Sequence, residues 1–249
     1  MKKIIWKIAW QSVTALLFLL LVWWIAYLSA GNELLVPSFA TTLEKMGELF
    51  VQSSFWQGMA RSLLRSICAF GISFLIAMIF AVIAYMVPSL QHFFTPIVSA
   101  FRTLPVLAVL LILLSFLGAG EAPVAVACLS LFPMLYTSIL AALSGIDENL
   151  IAASRIQGAT VWTRIFRLYL PLSAPYVLRE AGGALSFSLK LVVSAEVLAN
   201  TAQSLGGMMQ EAKIYGEIPT LFALVVATFL IGLCIESIFS IVVYWKKVK

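Results

Sequence analysis

The stretch "ICAFGISFLIAMIFAVIAYMV", from Ile67 to Val87, runs for twenty-one residues without a charge. Such a run restricts the fold more than any other feature of this chain. A helix needs roughly 20 apolar residues to cross the hydrocarbon of a bilayer. Only helices and closed barrels satisfy their backbone groups there. The apolar residues are continuous and do not alternate, which selects helices. Comparable runs recur along the chain, at Ile8–Ser29, Leu63–Val87, Ile97–Leu117, Ala122–Ser144, Ala181–Ala199 and Ile218–Tyr244. The expectation is an all-α integral membrane protein of about six transmembrane helices, forming a single domain over residues 1–249. Composition agrees: 62% of the residues are hydrophobic and 11% charged, whereas a soluble domain has about 25% charged.

The first run also resembles a signal peptide, and cleavage would leave five spans. It is longer than a secretory apolar core and ends in a Trp23-Trp24-Tyr27 cluster suited to the membrane interface, so an uncleaved first span is expected. Cys68, Cys128 and Cys234 all lie within apolar runs at spacings that suggest neither a disulfide nor a metal site. His92, the single histidine, is expected in an exposed turn.

Charge distribution sets the orientation. Lys2, Lys3 and Lys7 open the chain, and Lys246, Lys247 and Lys249 close it. With six crossings both termini lie on the cytoplasmic side, as does the connection carrying Arg155, Arg164, Arg167 and Arg179. The opposite segments carry Glu33, Glu44, Glu48, Glu121, Glu211 and Glu217; Arg61 and Arg65 are the exceptions. The net charge of +5 is thus read as membrane orientation, and nucleic acid is not an expected partner. Residues 38–57 place Leu43, Met46, Leu49 and Phe50 at helical spacing, the pattern of an amphipathic helix along the lipid surface.

The basic connection, about residues 147–175, has its own internal order. Asp147 or Asn149 caps a short helix and Glu148 suits its positive end. Gly158 ends that helix, Thr160 caps a second, and Pro171 stops it. Ala152 and Ala153 permit close approach, while Ile151 and Ile156 offer apolar knobs to a groove on a partner. The plainer reading is a connector whose arginines only fix orientation.

In the same connection Ala152-Ala153, Gly158, Leu168 and Leu170-Pro171 lie close to the spacing Glu-Ala-Ala, three residues, Gly, nine residues, Ile, one residue, Leu-Pro, with four residues in place of three between Ala153 and Gly158. That pattern resembles the cytoplasmic loop of inner-membrane permeases of binding-protein-dependent ABC importers. Ile151 stands where the motif has glutamate, and Leu168 where it has isoleucine. The stretches "FRTLPVLAVLLILLSFLGAGE" and "SLKLVVSAEVLANTAQSLGGMMQEAKIYGE" are similar to the permeases grouped with nitrate, sulfonate and taurine uptake. The resemblance implies a type I importer bundle in the bacterial plasma membrane and a second permease copy, typically giving a homodimer. It also implies cytoplasmic ATP-binding subunits gripping the loop (Ile151, Ala152, Ala153, Arg155, Gly158, Leu170, Pro171) and an extracytoplasmic solute-binding protein. The chain lacks G-x-x-x-x-G-K-[ST], so ATP hydrolysis is expected on a separate chain and no cofactor here. Candidate substrates are nitrate, alkyl sulfonates, taurine, bicarbonate or a vitamin precursor.

Polar residues inside apolar runs suggest function, because they are costly in lipid. Gly182, Ser186, Lys190 and Ser194 recur every four residues as a stripe that would line a solute path or pack on another helix. Glu196 lies about 240° round from Lys190, at about 100° per residue, so its expected partner is Arg61 or Arg65. Glu236 is expected within reach of the terminal lysines. Ala69, Ser73, Ala77 and Ala81 form a small-residue stripe for close helix packing, and Pro105 bends the third span or starts it afresh. Two other functions fit part of the pattern: an ion-driven secondary transporter using Glu196 and Glu236 as proton carriers, and a scaffold that docks a partner without moving solute.

Overall fold

The computed structural model describes the backbone of residues 2–248 and the side chains of residues 10, 14–154 and 156–241. Ten helices follow in order among these: α1 (Lys2–Ala30), α2 (Phe39–Val51), α3 (Ser53–Met86), α4 (Pro88–Thr103), α5 (Val106–Ser144), α6 (Glu148–Ile156), α7 (Val161–Arg164), α8 (Leu170–Ala199), α9 (Leu205–Ile214) and α10 (Ile218–Val248). A π-helical turn, Ile165–Tyr169, joins α7 to α8.

Among the described residues four helical bodies are long and apolar enough to cross a bilayer: Ser53–Met86, Val106–Ser144, Val161–Ala199 and Ile218–Ile241; Thr14–Ala30, the described part of α1, is a shorter apolar stretch. The third and fourth expected spans share α5, which is broken at Gly118 (φ 74°). A straight helix at about 1.5 Å per residue would put Leu110 and Val126 roughly 24 Å apart. Instead they share one buried cluster with Ala122 and Ala195, so the chain folds back at Gly118, where glycine adopts positive φ without a Cβ clash. The expected third span, Ile97–Leu117, is corrected. Pro105 caps α5 and separates it from α4, and residues 106–117 span only about 18 Å. Proline disfavours a helical Leu104 before it, which is why the apolar run does not make one helix. His92 is exposed, on α4 and not in a turn.

The centre is built from α3, α5, α8 and α10. On α3 the buried residues beyond Phe55 are small and regularly spaced: Gly58, Ser62, Ser66, Ala69, Ser73, Ala77, Ala81 and Ala84. They let neighbouring backbones approach closely, and the serines close their hydroxyls onto nearby carbonyls, as Ser73 Oγ does on Ala69 O at 2.8 Å and Cys128 O at 3.1 Å. This satisfies polar groups where water is absent. α2 ends at Val51, so residues 53–57 of the expected surface helix belong to α3. Leu49 is buried and Met46 packs on the same cluster, while Leu43 and Phe50 stay exposed. Trp23 Nε1 donates to Pro37 O at 3.1 Å and its ring packs on Phe39 and Phe222, tying α1 to α2 and α10. The three cysteines are free.

Candidate functional site

Two regions gather the polar residues that the sequence singles out: the α6–α7 hairpin and the face of α8.

At the hairpin Asp147 Oδ1 accepts from Asn149 N at 2.9 Å, and Glu148 sits in the first turn of α6. The second helix starts with Thr160 Oγ1 accepting from Thr163 N at 3.3 Å. Between them Gly158 has φ +72° with nothing within 4 Å of a Cβ placed on it. Ala159 N donates to Ser154 O at 3.1 Å, the six-to-one closure that ends a helix on a left-handed glycine. The turn therefore requires glycine for its backbone and not for space.

Side chains divide across the hairpin. Ile156 is 88% exposed and Ala152 and Ala153 are exposed, whereas Ile151 is 9% exposed and belongs to the core cluster around Leu135 and Tyr169. Ile151 is thus corrected from a knob for a partner to a residue holding α6 against its own bundle. A glutamate there would meet apolar neighbours. Arg164 lines an open groove with Tyr85, Met86, Glu148 and Asn149. The Arg155 side chain lies outside the described residues. Pro171 does not stop a helix: it comes just after the π-helical turn, closed by Leu170 N on Ile165 O, an irregularity that lets a helical run accommodate a proline. Leu170 is half-buried and Pro171 exposed, and the helix passes through the π-helical turn to Ala199.

The stripe on α8 divides as well. Gly182 and Ser186 face α10: a Cβ on Gly182 would lie 2.5 Å from Phe239 Cβ, and one on Gly232 lies 3.1 Å from Ser186 Oγ. Lys190 and Ser194 are exposed. Glu196 is wholly buried and accepts from Arg65 Nη1 at 3.0 Å, Ser62 Oγ at 2.6 Å and Gly206 N at 3.3 Å. Of the two expected partners, Arg65 makes the ion pair, while Arg61 donates to Gln203 Oε1. Ser62 and the α9 amide were not anticipated. Ser62 continues the small stripe of α3 about two turns before Ala69, at about 3.6 residues per turn, a signal the sequence did carry. Glu236 is exposed, and its expected contacts, Lys246, Lys247 and Lys249, lie outside the described residues, as do the side chains of Lys2, Lys3 and Lys7.

On the far side of the bundle Lys45 Nζ bonds Glu48 Oε2 at 2.7 Å. That hydrogen bond, with Glu44 and Glu217 nearby, raises the lysine above its ordinary value against a smaller desolvation effect. Lys45, Glu48, Glu211 and Glu217 line one cavity with Tyr215 and Met208.

A family profile described as the binding-protein-dependent transport system inner membrane component matches residues 73–246. A probable ABC transporter permease of Brucella melitensis is 29% identical over 215 residues, covering 85% of this chain and 86% of that one. The taurine transport system permease of Escherichia coli K12 is 28% identical over 208 residues, covering 81% and 75%. Among solved structures, an inward-facing form of the methionine ABC transporter MetNI superposes with a TM-score of 0.70 at 19% identity, covering 77% of this chain and 95% of that one. A bacterial ABC transporter that imports alginate gives 0.69 at 16% identity, covering 93% and 94%.

Proposed function

Because the chain belongs to the family of inner membrane components of binding-protein-dependent transport systems, we propose that its α6–α7 hairpin is the piece that grips separate cytoplasmic ATPase subunits. The chain itself is an ABC importer permease, a multi-pass membrane subunit. The observation that carries the docking reading is the hairpin's build. Two capped helices meet at a positive φ that favours glycine, and they present Ile156 and the Ala152-Ala153 pair outward. An exposed apolar tip flanked by small residues suits a groove on a partner.

In this reading the hairpin and both termini are cytoplasmic, and ATP is hydrolysed on the partner. A solute-binding protein delivers substrate to the opposite face, where α2 and α9 lie, and a second copy of the chain completes the path. The alginate transporter's complex with a periplasmic protein supports that kind of partner. Of the path candidates on α8, Ser186 serves packing and Glu196 is sequestered, which leaves Lys190 and Ser194. The same sequestration argues against Glu196 as a proton carrier in an ion-driven transporter, since its carboxylate is wholly buried and already held by Arg65, Ser62 and the Gly206 amide.

The test is capture of the ATPase by Gly158→Val. A β-branched residue at φ +72° strains the turn by roughly 1–2 kcal/mol, so capture and ATP-driven uptake fall while membrane insertion persists. Undiminished capture and uptake overturn the docking role.

A further inference from the structure

The run Ile67–Val87 of α3 carries no charge. At about 1.5 Å per residue it measures about 30 Å, the thickness of the hydrocarbon core, and so marks depth in the bilayer. Phe80 lies seven residues before Val87, roughly 10 Å inside that end of the run. Its ring packs on Phe94 and Phe132, and Phe132 packs in turn on Phe101, at centroid distances of 5.1, 5.9 and 6.0 Å. The end of α4, where the chain breaks at Leu104 and Pro105, is thus held within the hydrocarbon and not at its surface. Arg102 does not escape by reaching for water, because its Nη2 donates to Thr137 Oγ1 at 2.6 Å. Thr137 is itself seven residues before Ser144, about 10 Å from the end of α5.

This elbow leaves polar groups without partners. Pro105 supplies no N–H, so Phe101 O loses the donor that a continuous helix would give it. Among the described residues Leu104 neither donates nor accepts a backbone hydrogen bond, and α5 starts without a side-chain cap. Arg102 meets no carboxylate of a described residue. Yet Arg102, Thr103, Leu104, Pro105 and Val106 are all exposed on the single chain. Irregular backbone at membrane depth does not face lipid; it is buried in protein or lines water. The side chains around the elbow decide between those two. Leu104, Leu107, Leu111, Ile112 and Phe116 are exposed beside it, Phe116 by 81%, and so broad an apolar face gains nothing from water.

We infer that the α4–α5 elbow is where a second copy of this chain packs within the membrane, each copy's Arg102 donating to the other's Phe101 and Leu104 carbonyls. The patch is self-complementary, as a two-fold interface requires. It sets a guanidinium fork with unclaimed N–H groups beside carbonyls that have no donor. A two-fold axis along the membrane normal keeps both elbows at one depth, so donor and acceptor meet inside the hydrocarbon. The inference rests on the reading above, that a second copy completes the path, and adds where the copies meet and which atoms hold them.

Thr103→Cys, in the full transporter in membrane vesicles, places a thiol on the elbow. A short, membrane-permeant bismaleimide is expected to join the peptide carrying position 103 to itself. Peptide mass mapping separates that product from those of Cys68, Cys128 and Cys234. A membrane-impermeant thiol reagent is expected to leave the position unlabelled. Absence of the self-joined peptide, or rapid labelling from water, overturns the interface, the second result in favour of a water-lined elbow. The role of Arg102 is read from exchange of permease copies between tagged and untagged transporters in detergent. Arg102→Met should quicken exchange at least about tenfold, since two charge-assisted hydrogen bonds are lost. Thr137→Val, which removes only the bond within the chain, should exchange at the parent rate. Parent-like exchange in Arg102→Met, or an equal acceleration in Thr137→Val, overturns the assigned contact. The native mass of the intact transporter separates the two levels: a single copy refutes the second copy itself, whereas two identical copies without the self-joined peptide refute only the elbow.

Discussion

Glu196→Ala removes the acceptor of three donors at once, and the loss can be worked from the geometry. The carboxylate is wholly buried and joins α3 through Arg65 and Ser62, and α9 through the Gly206 amide. Removing one member of a buried ion pair costs about 3–5 kcal/mol, because the other charge is stranded. Arg65 is 20% exposed and can turn partly toward water, so about 3 kcal/mol is the appropriate end. The Gly206 amide at the start of α9 loses its acceptor too, adding up to about 1 kcal/mol for a bond already 3.3 Å long. A total of about 3–4 kcal/mol lowers the unfolding midpoint by roughly 6–16 °C in a chain of this size. The assay is tryptophan fluorescence of the purified transporter during heating in detergent. Arg65→Met combined with Glu196→Met removes both charges and should recover at least half of the loss, since an apolar pair strands nothing. A Glu196→Ala midpoint within about 2 °C of the parent, or a double variant whose losses merely add, refutes the reasoning.

Other expectations follow from the same geometry. Gly206→Ala places a Cβ 2.4 Å from Glu196 Cβ and 2.6 Å from Val193 O; it should push α9 off α8 and cost about 1–3 kcal/mol, measured by the same melt. Gly47→Ala, with open space around its Cβ on α2, should be neutral or stabilising by about 0.5–1 kcal/mol. Thr160→Ala removes the α7 cap and about 1 kcal/mol, seen as weaker ATPase capture without loss of insertion. Lys45 is raised above its ordinary 10.5, so the Glu48 contact is complete below that pH and is lost only as pH rises through the raised value. Uptake compared across about pH 6 to 9 should show no step that Lys45→Met removes.

The apolar runs announced the helices because lipid offers the backbone no alternative partner. The C-terminal end of α3 falls within a residue of the expected one, whereas its start lies ten residues earlier than Leu63. Ser62, Arg61 and Arg65 conceal that start, since polar residues on a helix face lower the apolar signal without breaking the helix. Arg61 and Arg65 are one turn apart on the same face, so spacing could not choose between them as the partner of Glu196; the packing of α9 makes the choice by setting Gln203 beside Arg61. Pro171 was misread because a proline ordinarily ends a helix. Here the π-helical turn before it lets the helical run continue. The hairpin's caps were legible because each is a local bond between residues two or three apart. The burial of Ile151 was not, since it depends on Leu135 and Tyr169, brought together by the bundle. The α8 stripe was visible as a periodicity, but which members meet α10 depends on Phe239 and Gly232, some fifty residues away in sequence.

The central claim is that the α6–α7 hairpin is held by a cytoplasmic partner, and Ile156, 88% exposed at its tip, offers the most direct measurement. Ile156→Cys is treated with a membrane-impermeant thiol reagent in intact cells and in inside-out vesicles, with and without the ATPase subunits, and its peptide is quantified by mass. Labelling only in inside-out vesicles, slowed severalfold when the ATPase is bound, is the expected result. Labelling in intact cells, or a rate in vesicles indifferent to the ATPase, contradicts the account.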